Sequence, residues 1–168
     1  MTAYAVPRTV PLMTSPHGDS PPHEPADVVV RCRDNPSVGV RFRDRFRDDQ
    51  DSARYTVEAW APGLTARVDE VVAWFTDPDL APFLESLAAD YRGWRGERRW
   101  RTDNRDLAVS AVFRSGGHVG LTWTLRPWRN AAGGWGASVT TWLEAGEQMS
   151  ALAAGIRHFL TASPGCRG

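Results

Sequence analysis

Apolar and polar residues alternate with period two through most of this chain, and the period lengthens to that of a helix twice. Val28, Val30 and Cys32 alternate with Val29, Arg31 and Arg33. The turn residues Asp34-Asn35-Pro36-Ser37 follow, and then Val38, Val40 and Phe42 alternate with Gly39, Arg41 and Arg43. Two such runs around a turn predict a β-hairpin. Asp44 to Ser52 is dense in charge and reads as a loop. Tyr55, Val57 and Ala59 alternate with Thr56, Glu58 and Trp60, Ala61-Pro62-Gly63 turns the chain, and Leu64, Ala66 and Val68 begin a strand reaching about Trp74. This is a second hairpin.

The first helix is signalled by Asp77 as N-cap and Pro78 at the first helical position, where no N–H is needed. Leu80, Phe83, Leu84, Leu87, Ala88 and Tyr91 recur at helical spacing, and Arg92 and Gly93 suit the C-terminal end. A short strand around Trp100 precedes three more. Leu107 to Phe113 and Val119 to Leu125 alternate around the tight turn Ser115-Gly116-Gly117. A loop from Pro127 to Gly134 leads to Trp135, Ala137, Val139, Thr141 and Leu143. The last helix, Glu147 to Leu160, carries the stripe Met149, Leu152, Ala153, Ile156, Phe159 and Leu160. Short connections favour antiparallel pairing, and two one-sided helices must cover an apolar sheet face. The fold class is α+β: a twisted antiparallel sheet of about seven strands with two amphipathic helices on one face.

Length fits this single domain, over residues 27–161. Residues 1–26 hold six prolines and few large apolar side chains, so they read as a disordered leader, and residues 162–168 as a frayed tail. No signal peptide is apparent and no run reaches the roughly 18 apolar residues of a membrane span, so the expected location is the cytoplasm. Positive and negative charges cancel, which gives no bias toward nucleic acid or an anionic membrane. There is no lysine, and isoleucine occurs once, a usage that fits GC-rich coding. Cys32 and Cys166 fit neither a zinc pattern nor a redox pair.

No catalytic signature is legible. The sequence has no GxSxG elbow, HExxH, EF-hand loop or P-loop. Outside the leader the histidines are His118, at a hairpin end, and His158, near a helix C-terminus. Asp44, Asp48, Asp49 and Asp51 lack the spacing and closing Glu of a calcium loop, and four interleaved arginines make them a salt-bridged loop. Neither metal nor cofactor is expected.

Two surface features remain. Trp60 and Trp142 stand opposite in phase to the apolar set of their strands, while Trp123 and Trp135 are in phase with it. With Thr122, Thr124 and Thr140, the two outward tryptophans mark a Thr-rich sheet surface suited to a partner. Separately, Trp94, Arg95, Arg98, Arg99, Trp100 and Arg101 interleave arginine with aromatics, the composition that grips phosphates and stacks on bases.

The segments VVVRCRDNPSVGVRFRDR, FLESLAADYRGWRGERRW and GHVGLTWTLRPW, with the run from Gly133 to Leu160, resemble a family of short, uncharacterised actinobacterial proteins carrying a domain of unknown function. The resemblance covers about residues 27 to 160 and implies a fold, without an activity. In element order the chain is also similar to immunity proteins of contact-dependent wall-associated toxins, from whose pattern Glu147-Gln148-Met149 departs. The leading expectation is therefore a non-enzymatic protein-binding domain, an immunity-like inhibitor of a toxin, contacting its partner through Trp60, Thr122, Thr124, Thr140 and Trp142. The alternative is a nucleic-acid-binding accessory protein using the arginine–tryptophan segment, and a hydrolase built on His118 or converging acids ranks third. Partner identity and oligomeric state stay open.

Overall fold

The first strand, β1 (Val28–Arg31), pairs with β2 (Gly39–Arg47), and β3 (Ser52–Ala61) and β4 (Leu64–Trp74) extend the meander to four antiparallel strands. The helix α1 (Leu80–Ala89) follows. A second four-stranded antiparallel meander then runs through β5 (Glu97–Arg101), β6 (Leu107–Arg114), β7 (His118–Leu125) and β8 (Ala137–Glu144), and α2 (Glu147–Thr161) closes the fold. These elements come from a computed structural model that describes residues 27–47, 49–75, 79–127 and 134–162. The leader, Cys166, Asp77, Pro78 and most of the loop after Pro127 lie outside the described residues.

The α+β class and the antiparallel pairing are as the alternation requires, but the strands divide between two sheets where one was expected. Among the described residues a single backbone hydrogen bond links the sheets, from Arg33 N to Trp142 O at 2.9 Å. The inward residues of both sheets and the apolar stripes of both helices form one core. Its centre is aromatic. Phe42 of β2 meets Trp123 of β7 edge-on at 5.7 Å between ring centroids, and Phe159 of α2 packs edge-on against Tyr55 at 5.9 Å. Trp123 is fully buried, and its indole N–H donates to the buried Thr141 hydroxyl at 2.9 Å. The helices lie against each other, and Arg157 of α2 forms a bidentate ion pair with Glu85 of α1.

Asp44 to Arg47, expected as loop, belong to β2. The pairing with β3 shifts between Arg43 and Phe46, and Asp44 there has φ +52°. This bulge aims Arg45 inward, where it is buried and donates to the Ala162 carbonyl at the end of α2 at 2.6 Å. A cation there answers the partial negative charge of a helix C-terminus. The run of arginines and aspartates hid the strand, because its inward member after Phe42 is itself an arginine. Asp49 then shapes the turn into β3, its carboxylate accepting from Asp51 N, Ser52 N and the Ser52 hydroxyl.

Other boundaries move for local reasons. The α1 cap is Asp79, whose carboxylate accepts from Leu80 N at 2.6 Å. Pro82 falls at the third helical position, where its missing N–H is again no loss, so either proline reads as a start. Tyr91 lies past the helix end and is 54% exposed. Gly93 does face a tight approach, since an added Cβ would meet the Phe113 ring at 2.6 Å, but the helix is already capped at Asp90. Trp135 precedes β8 and is 42% exposed, so the strand's alternation does not reach it.

Phe159→Ala should cost about 3–5 kcal/mol and Trp135→Ala only about 0.5 kcal/mol in urea unfolding; equal losses would contradict this placement. Burial pushes the Asp79 carboxyl above its ordinary range, against the opposing Leu80 N–H. The folded chain then binds that proton more tightly than the unfolded one. This contribution to stability is full below the ordinary carboxylate pKa, near about pH 4, and falls as pH rises through the raised value. Asp79→Asn keeps a capping oxygen and should flatten that part of the stability–pH curve.

Candidate functional site

Strand register places the outward positions of the second sheet in a four-by-four grid that lacks one corner. Arg101, Ala108, Thr124 and Ser138 form one row across β5 to β8, and Arg99, Ser110, Thr122 and Thr140 the next. Glu97, Val112, Gly120 and Trp142 follow, and Arg114, His118 and Glu144 complete β6 to β8. The middle of this face has short side chains that bond across strands: Thr122 with Thr140 at 2.8 Å and Thr124 with Ser138 at 2.9 Å. These pairs hold the side chains in place and leave a flat, uncharged floor. The predicted Thr122, Thr124, Thr140 and Trp142 therefore share one surface.

Trp60 does not join them, for it stands on β3 of the first sheet. Both outward tryptophans nevertheless have the same local cause. Each lies over a cross-strand glycine and under an arginine. Trp60 covers Gly39, where an added Cβ would meet the ring at 2.4 Å, and the Arg31 guanidinium sits 5.6 Å from its ring centroid. Trp142 covers Gly120, with Arg114 at 4.0 Å. Half-buried in this way, the indoles are part of the sheet surface and do not project from it.

Along its β5 side the face deepens into an open groove of about 640 Å3. Arg99, Arg101, Arg105 and Arg126 line it over Ala108, Ser110 and Thr124. Arg99 pairs with Glu97. Hydrogen bonds from Arg99 and from Ser110 hold the Glu97 carboxyl below the usual carboxylate range. Arg105, which continues the basic run of the arginine–tryptophan segment in the sequence, precedes β6; Arg126, which sequence reasoning missed, follows β7, and nothing in its local pattern marks it.

The arginine–tryptophan segment is divided by the pleat of β5. Arg99 and Arg101 point to the outer groove. Trp94 and Trp100 pack on the core, and Arg98 stacks over Trp94 at 4.8 Å while pairing with Asp90 at 2.6 Å. Arg95 is exposed in the loop before β5. The six residues thus do not form one surface.

The histidines are likewise apart. His118 Nε2 accepts from Arg33 Nη1 at 2.7 Å beside the junction of the sheets, a bond that requires that nitrogen to be unprotonated. His158 lines a shallow cleft between α1 and α2 with Ser150, Arg157 and Glu85. Neither histidine bonds a hydroxyl, thiol or carboxylate among the described residues. No cluster of three metal-ligating side chains occurs among them, and none of their helices is long and apolar enough to cross a membrane. Cys32 is buried, and its Sγ accepts from Trp142 N at 3.4 Å.

A model of a family of unknown function, DUF6228, matches residues 31–163, which take in both helices, the second sheet and the first sheet from the last residue of β1 onward. The chain belongs to the DUF6228 family. No curated protein and no solved structure matches it. Membership in DUF6228 brings no activity with it, so the reading of the site rests on its geometry.

In this DUF6228 chain, Gly120→Ala should cost about 1–3 kcal/mol, because a methyl group would lift the Trp142 ring. In the Trp142→Ala background the same change should cost much less. A double-mutant cycle by urea denaturation checks this; additive losses would mean that the indole is not seated on the glycine.

Proposed function

We propose that this chain is a non-enzymatic binding protein that holds a protein partner on the outer face of its second sheet. What supports this most is the face itself: a four-stranded floor of short, internally bonded side chains, still accessible to solvent, with arginines at its β5 side and Trp142 at the other. Its grid measures about 20 Å by 14 Å, roughly 300 Å2, from ordinary strand spacings. A stable interface takes about 800 Å2 from each partner. The partner must therefore also reach the rims, the arginine groove on one side and Arg114 with Trp142 on the other. We read the partner as a toxin held inactive, on the likeness in element order to immunity proteins alone. The nucleic-acid reading is weaker because Trp94 and Trp100, its stacking platform, are packed against the core.

The test is capture of partners by the tagged chain from its native cells, with nuclease treatment. A protein partner should persist after nuclease, be lost with Thr122→Arg, which raises a long cation from the floor, and be kept with Trp60→Ala on the other sheet. Retention by Thr122→Arg would remove this face as the site. Loss on nuclease treatment would favour nucleic acid.

A further inference from the structure

The two sheets treat their outward arginines differently. On the first sheet most have a carboxylate: Arg41 with Asp27, Arg43 with Asp44 and Glu58, Arg54 with Glu70, and Arg67 with Asp69. Of the others, Arg31 bonds the Pro36 carbonyl and lies over Trp60, and the exposed Arg47 lies over Phe75. In the groove of the second sheet the acid of the lining, Glu97, is taken by Arg99. Arg101 and Arg126 have no ion pair among the described residues. The chain as a whole is neutral, so this local excess is a matter of placement and is invisible in the net charge.

We propose that this groove is a carboxylate-binding site that receives an acidic, extended segment of a polypeptide partner. The inference rests on the binding-protein reading above and names the partner's chemistry. Guanidinium groups bind carboxylates through paired N–H donors. Arg99 and Arg101 alternate on one strand, so their Cα atoms are about 6.5–7 Å apart. An extended peptide repeats its same-side chains at the same interval, which places acids at alternate positions opposite the two arginines. Arg126, from the end of β7, faces the groove from the other side. The floor of Ala108, Ser110 and Thr124 is low enough for a backbone to lie close and offers no ring for a base to stack on. Trp100, the aromatic residue on the groove wall, is packed on the core.

The probe is a labelled peptide of about ten residues alternating Glu and Ser, titrated into the full chain. Fluorescence polarisation reads affinity, and amide shifts of Ser110 and Thr124 read location. Saturable binding that weakens with salt is expected. Arg101→Glu with Arg126→Glu should weaken it at least tenfold. Arg101→Gln with Arg126→Gln repeats the loss without charge reversal, should the reversal disturb the fold. Glu97→Gln should tighten binding, and Arg67→Glu on the first sheet should leave it unchanged. No saturable binding at low salt, or equal weakening by Arg67→Glu, would overturn the proposal. Tighter binding of a ten-nucleotide oligothymidylate at the same amides would replace the acidic polypeptide with nucleic acid. If the peptide fails while a captured protein partner is still lost with Thr122→Arg, the face remains a protein site and only its acidic complement falls.

Discussion

Contact between Phe42 and Trp123 joins two sheets that share almost no backbone hydrogen bonding. Meanders of four strands satisfy their own interior ladders, so nothing in the backbone compels one to seek the other. The union depends on side chains, with Phe42, Tyr55 and Phe159 clustered beside Trp123 and with the indole N–H of Trp123 satisfied by Thr141. Aromatic residues suit this role because each removes a large apolar area from water and edge-on packing adds to that burial. Since the inward faces and helices do most of the joining, much of the outward faces is released from packing and can be shaped for contact with another molecule.

Those outward faces show how placement decides what composition leaves undetermined. The first sheet sets its acids beside its arginines. The second sheet places arginines beside a floor of small side chains, and Glu97, the acid of the groove lining, is taken by Arg99. The face of the second sheet is thus held rigid by its ladders and hydroxyl pairs while its charge is left unbalanced. Rigid floors lose little entropy on binding, and unbalanced charge speeds encounter and selects the sign of the partner.

Much of this was legible in the sequence. Alternation alone gave the strand phases, and because a ladder keeps inward and outward sets in register, it was enough to put Thr122, Thr124, Thr140 and Trp142 on one face. The second helix followed from its stripe. What was not legible depended on events outside the local pattern. The division into two sheets is a tertiary event, and it separates Trp60 from Trp142 although each is outward in its own strand. The bulge at Asp44 turns an arginine inward, against every expectation from polarity. Trp135 has the phase of the core but lies just before the strand that would have given that phase meaning. The arginine–tryptophan segment looked like one surface because composition does not record which side of a pleat each residue takes. Arg105 and Arg126 come together only on folding, since the whole of β6 and β7 lies between them in the chain.

The absence of lysine has a consequence for such a surface. A guanidinium keeps its proton at any pH a living cell reaches, and it offers no amine to acetylation. The positive charge of the arginines in the β5 groove is therefore fixed by its amino acids and is removed neither by a change of acidity nor by the commonest neutralising modification. An attachment formed there would have to be loosened from the other molecule's side, by protonating its acids or by competing for them with salt.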